Sequence, residues 1–177
     1  LESGFHPGKV YHVIYTTKGA PIAGLGLLST RDLISFLRYG TESDENPLAN
    51  YIDHAYTLGV SQSGRFLRLY LYLGVNFDEE GRVAFDGLIP HVAGGKRGEF
   101  NQRFAQPSSQ ASRSTNSLFP FSDVDQTDHN TNITDGLLSN LSATGTLPKI
   151  MYTYTPSEYW GGHGSLVHTD LSATRDL

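Results

Sequence analysis

The chain has 177 residues, 38% of them hydrophobic, with 13 Lys+Arg against 18 Asp+Glu, and this is the composition of one folded domain with a sizeable core. A net charge of −5 without a block of like charges excludes a phosphate-tracking surface, and nucleic acid with it. The absence of Cys removes disulfides, thiolate zinc sites and cysteine nucleophiles together, and no apolar run reaches the roughly 18 residues that cross a membrane.

Residues 10–17 (Val-Tyr-His-Val-Ile-Tyr-Thr-Thr) are β-branched and aromatic with few charges, the pattern of a buried strand. Residues 24–39 follow with Leu27, Ile34 and Leu37 on one face and Arg31 and Arg38 on the other, which predicts an amphipathic helix. An acidic loop broken by Pro47 leads to a strand at about 54–60.

That strand runs into Gly59-Val60-Ser61-Gln62-Ser63-Gly64-Arg65, after which Phe66, Leu69, Tyr70 and Leu73 recur at helical spacing. Strand, sharp turn and helix is the setting that lifts a serine hydroxyl above the end of a sheet. The match is small-x-Ser-x-small rather than the strict G-x-S-x-G, because the second glycine falls one place late, at Gly64. Ser61 is the candidate nucleophile; the plain alternative is an ordinary turn serine beside a glycine.

Residues 78–82 form a turn, and residues 83–92 are the next strand, ending tightly at Gly94-Gly95. Residues 95–146 are polar and aperiodic, an excursion that reads either as a lid or substrate wall or as an insertion wrapping the sheet. Within it Asp123-Val124-Asp125-Gln126-Thr127-Asp128 imitates the start of a calcium loop, but position six is Asp128 instead of Gly and position twelve is Thr134 instead of Glu, so calcium is not expected. Residues 147–155 restore a strand, and residues 165–177 read as surface chain. Alternating strands and helices of these lengths predict an α/β fold with a mostly parallel sheet.

Ligands of such sheets bind beyond the carboxyl ends of the strands, where Ser61 and Glu158 both fall. A serine needs a base to take its proton, and the base needs a carboxylate to orient it. Glu158 fits the second role. In the order serine, acid, histidine, the base is either His168 or a histidine beyond Leu177; His163 also follows the acid, whereas His6, His12, His54, His91 and His129 read as structural or surface residues. The backbone N–H of Gln62 is the expected oxyanion donor, and the second donor is unassigned. Tyr159 and Trp160, beside Glu158, offer a stacking surface for a sugar or aryl group, or else belong to the core.

The Ser61 segment, Phe100-Asn101-Gln102-Arg103-Phe104-Ala105-Gln106-Pro107, Phe119-Pro120-Phe121-Ser122, and Ser157-Glu158-Tyr159-Trp160 with His168-Thr169-Asp170 together resemble the bacterial alpha/beta hydrolase domain-containing protein family over nearly the whole chain. The late glycine followed by a base is also similar to the glucuronoyl esterases, whose triad is Ser, Glu and His. The resemblance implies an α/β-hydrolase fold incomplete at both ends, Ser61 as nucleophile, Glu158 as acid, and a histidine on a final strand. The sole methionine, Met151, agrees with an excerpt or a processed product. The resulting expectation is a serine hydrolase acting on a small-molecule or saccharide-linked carboxylic ester without a cofactor. The alternatives are a non-catalytic binding domain of the same fold and an amidase or acyltransferase using the same serine.

Overall fold

The computed structural model describes residues 4–9, 11, 16, 18–19, 24–98, 100 and 119–177. Most of the strand expected at residues 10–17 and most of the Phe100-to-Pro107 segment lie outside the described residues.

Helix α1 (Leu25–Tyr39) forms where the periodicity placed it. It ends where the buried Asn46 side chain donates to the carbonyls of Phe36, Leu37 and Gly40 at 3.0, 3.0 and 2.8 Å, so a loop residue supplies the partners that a helix end lacks. The expected split of its faces is corrected. Arg31 and Arg38 do not stand in solvent: Arg31 is 9% exposed and bonds Asp32, the Phe77 carbonyl and Glu79, while Arg38 holds the Val83 and Ala84 carbonyls and pairs with Asp86 at 3.0 Å. Their hydrocarbon stems cover apolar surface, and the guanidinium forks reach partners more than forty residues away.

Strand β1 (Tyr56–Val60), helix α2 (Gln62–Tyr72) and strand β2 (Gly87–His91) follow in order. A short hairpin, β3 (Gln126–Thr127) with β4 (Thr134–Asp135), and the single turn α3 (Ser139–Ser142) precede strand β5 (Lys149–Ile150) and helix α4 (Pro156–Gly161). The sheet is parallel in the order β1-β2-β5, with Val60 opposite His91 and Leu88 opposite Ile150. A further bridge between His91 and Thr153 carries the β5 line to the same rim. This is the expected α/β sheet with its flanking helices.

The core lies between the sheet and α2. Leu69, Tyr70, Leu71 and Leu88 are at most 1% exposed, and Leu137 and Leu141 complete it at 0%. Leu67, Arg68 and Leu71 are buried beside the expected stripe, so the middle of α2 is enclosed on more than one side. Because Leu137 and Leu141 belong to the same core, the end of the polar excursion is part of the domain body. On the opposite face of the sheet Tyr56, Leu58, Val60 and Met151 are exposed.

Asp78 staples the turn before β2 to α1. Its carboxylate accepts from the N–H groups of Glu80 and Arg82, from the Arg82 guanidinium at 2.7 Å and from Ser35 Oγ. Burial works against the charge, but the hydrogen bonds from Ser35 and Arg82 outweigh it and hold the carboxyl at about 2. A depressed folded value stabilises the protein above the unfolded value of about 4, and that contribution disappears as pH falls through about 2. Urea titrations of the wild type between pH 5 and 2 are expected to show a loss of about 1 kcal/mol, after solvent screening, that is absent from Asp78→Asn.

Candidate active site

The turn between β1 and α2 puts Ser61 at φ 56, ψ −112, a conformation that residues with a Cβ rarely adopt. It is held from both sides: the Ser61 N–H donates to the His91 carbonyl at 2.9 Å, and the Arg65 N–H donates to the Ser61 carbonyl at 3.0 Å. Ser61 precedes the first turn of α2, yet its side chain makes no capping bond. The hydroxyl is therefore exposed and uncommitted. Gln62 opens α2, so its N–H has no intrahelical acceptor.

Two glycines make the turn possible. A Cβ on Gly59 would lie 2.4 Å from the Ser63 carbonyl oxygen, and one on Gly64 would lie 2.9 Å from the Ala93 Cβ and 3.0 Å from the Gly59 and His91 carbonyl oxygens. The late glycine is thus the position where α2 meets the end of the sheet, while position 63 faces outward and accepts a serine.

The chain leaving β2 is also constrained. Val92, a β-branched residue, sits at φ 44, with its N–H donating to the Thr153 carbonyl at 2.8 Å. Beyond it, the Gly95 N–H donates to the Gly162 carbonyl at 2.9 Å, tying this exit to the end of α4.

Glu158 lies in the first turn of α4, which Thr155 caps and Pro156 begins. Its carboxylate rests over glycines: a Cβ on Gly94 or Gly162 would come within 3.0 or 2.8 Å of Glu158 Oε1. It lines a cleft of about 180 Å³ together with Arg65, Lys96, Arg97 and His163. Ser61 and Gln62 lie outside that lining; Arg65, one helical turn on, links the serine turn to the cleft.

The two histidines that follow the acid part company. His163 lines the cleft and stacks on Phe121, the ring centroids 6.4 Å apart at 12°. Burial, and then the Lys96 ammonium, lower its pKa against a raising backbone hydrogen bond at Gly162. His168 is outside the cleft lining, with Nε2 2.7 Å from the Tyr159 hydroxyl and Nδ1 3.3 Å from Asp176. Among the described residues no imidazole hydrogen-bonds the Glu158 carboxylate. Of the earlier histidines, His91 Nδ1 lies 2.8 Å from Thr153 Oγ1, His54 is an exposed neighbour of Asp86 before β1, and His12 lies outside the described residues. Trp160 is 77% exposed beside the cleft and so does not belong to the core.

Arg68 is fully buried, and its Nη2 donates to the carbonyls of Gly95 (2.9 Å) and Phe121 (2.5 Å) while the guanidinium covers the Tyr152 ring. One cation thereby ties the β2 exit to the Phe121 segment. Burial pushes the nearby Asp123 carboxyl upward, against the hydrogen bond from Tyr152 and the charge of Arg68. The acidic run that imitates a calcium loop is used internally: Asp123 bonds Tyr152, Asp125 bonds Ser139 and Asp128 bonds Thr131. No group of three potential metal ligands occurs among the described residues.

A parallel sheet with a strained serine between strand and helix, and a carboxylate beyond a later strand, is the frame on which this sequence pattern was read. A family model described as an alpha/beta hydrolase domain matches residues 8–158. The chain belongs to that alpha/beta hydrolase family. Comparison with curated proteins and with solved structures finds no match. Membership supports a hydrolase-type function.

Sequence reasoning overlooked Lys96 and Arg97, which line the cleft. The signal available was the basic pair directly after Gly94-Gly95, at the carboxyl end of a strand.

Proposed function

We propose that this alpha/beta hydrolase is a serine hydrolase that cleaves a carboxylic ester through an acyl-enzyme on Ser61. The observation that carries the reading is the Ser61 turn: backbone strain at φ 56 that presents a hydroxyl spent on no cap and no packing contact. In the proposed reaction Ser61 Oγ attacks the carbonyl carbon, and its proton passes to an imidazole oriented by Glu158. The Gln62 N–H stabilises the oxyanion, and the imidazolium returns the proton to the leaving alcohol. Water then attacks the acyl-enzyme, the same imidazole takes its proton and passes it to Ser61 Oγ as the intermediate collapses, and the acid leaves. None of these steps requires a cofactor.

Fluorophosphonate labelling followed by mass spectrometry tests the reading. One covalent adduct is expected on Ser61 and none in Ser61→Ala. The same labelling of His163→Gln shows whether the imidazole of the cleft is the base, in which case labelling slows by at least a hundredfold. A folded protein that gives no adduct would sink the hydrolase reading in favour of a binding domain, which the exposed Trp160 and the absence of an imidazole on Glu158 among the described residues would then suit. Product analysis with esters, amides and acceptor alcohols separates esterase from amidase and acyltransferase.

A further inference from the structure

The charge around the cleft is opposite to that of the protein. A chain of net charge −5 lines this one depression with Arg65, Lys96 and Arg97 against a single carboxylate, Glu158. Arg97 has structural duties, donating to the Phe119 carbonyl at 2.7 and 3.0 Å and lying over the Tyr72 ring at 3.9 Å. Lys96 does not. It is half-buried, and among the described residues it makes no ion pair and no hydrogen bond. The Glu158 carboxylate shares the cleft but does not pair with it, and a partly desolvated ammonium that no acceptor contacts directly favours a ligand that supplies one.

We propose that the cleft binds an anionic group of the substrate, with Lys96 as its principal ligand, so that the ester cleaved at Ser61 carries a second, free acidic group. This deepens the serine-hydrolase reading and rests on it. About 180 Å³ accommodates a small acidic head with a few carbons and not a whole ligand. Arg65 fixes the spacing: its N–H bonds the Ser61 carbonyl, and it lies one turn along α2 from the nucleophile, roughly 6 Å away along the helix. The charge of the substrate therefore sits a few atoms from the scissile carbonyl. Carboxylate, sulfonate and phosphate heads share this chemistry.

The test compares two p-nitrophenyl esters of equal chain length, the glutarate monoester with its free carboxylate and the neutral valerate, with a sulfonated acyl ester as a third arm. At low ionic strength kcat/KM is expected to favour the charged esters about tenfold, with the preference shrinking towards unity at 1 M NaCl. The carboxylate and sulfonate arms show which head is preferred. Lys96→Gln is expected to abolish the preference. Gly161→Leu is a second probe, because Gly161 lines the cleft and a Cβ there meets nothing within 4 Å, so a bulky side chain is added at the cleft wall without a backbone clash. It should penalise the charged ester more than the neutral one. Calorimetric binding of monomethyl glutarate and of neutral dimethyl glutarate to Ser61→Ala, with and without Lys96→Gln, gives a readout independent of turnover. Equal kcat/KM for charged and neutral esters, with Ser61 still labelled by fluorophosphonate, overturns the anion site and leaves the hydrolase standing. Absence of labelling together with Lys96-dependent binding of the monoanion does the reverse.

Discussion

Replacing Ser61 by glycine is expected to lower kcat for ester hydrolysis by about four orders of magnitude and to raise stability by about 1 kcal/mol in the same protein. The two effects have one origin. The turn holds residue 61 at φ 56, ψ −112, which costs a residue with a Cβ about 1–3 kcal/mol, and glycine escapes that cost while giving back part of it through a freer unfolded chain. Nothing else is lost, because the Ser61 side chain is exposed and caps no helix. For a domain of this size the gain corresponds to a melting temperature higher by about 2–4 °C. Ser61→Ala separates the contributions: it loses the nucleophile equally but retains the Cβ, so its melting temperature should stay near the wild type. Thermal melts of the three proteins and their rates on one activated ester decide the matter. A glycine variant less stable than the alanine variant would show that the turn stores no strain.

The parts of this fold legible in the sequence are those whose cause is local. Helix α1 and the β1-turn-α2 unit follow from apolar periodicity and from small residues at 59 and 64, and all of that information lies within a dozen residues. Residues 83–92 and 147–155 were readable as strands because β-branched and aromatic residues cluster there, although the paired lengths are shorter. Long-range partners were not legible. Arg31 and Arg38 look like a solvated face until Glu79 and Asp86 come across from the β2 side, and Arg68 looks like one more exposed helix cation until the Gly95 and Phe121 carbonyls close over it. Leu137 and Leu141 have no period to announce them, since a four-residue helix is too short to show one. In the site, the positions of Ser61 and Glu158 on one rim follow from strand order alone. Whether His163 or His168 faces the cleft depends on the left-handed backbone at His163 and on the Tyr159 and Asp176 contacts of His168, which no spacing rule contains. The cleft assembles from α2, the β2 exit and α4, three elements separated by about thirty to sixty residues, with its cations from the first two and its carboxylate from the third.

Gly59→Ala is expected to be the most damaging single-methyl change near the site, destabilising the protein by about 3 kcal/mol and removing fluorophosphonate reactivity at Ser61. The added Cβ would stand 2.4 Å from the Ser63 oxygen, 2.6 Å from the Ser63 carbonyl carbon and 2.8 Å from the Gly64 nitrogen. These are backbone atoms of the first turn of α2, so no side-chain rotation relieves the contact. The helix cannot retreat either, because Gly64 is already packed against Ala93 and the His91 carbonyl, and the Ser61 N–H is bonded to that same carbonyl. Accommodation therefore requires the turn to open, which breaks the Ser61–His91 bond and displaces the Gln62 N–H proposed as the oxyanion donor. The control is Gly161→Ala, where a Cβ meets nothing within 4 Å at the end of α4, and its stability should change by less than about 0.5 kcal/mol. Denaturant unfolding of both variants, with labelling measured under native conditions, tests the argument. If Gly59→Ala kept both wild-type stability and Ser61 labelling, the close approach of β1 and α2 could not be what shapes the serine turn.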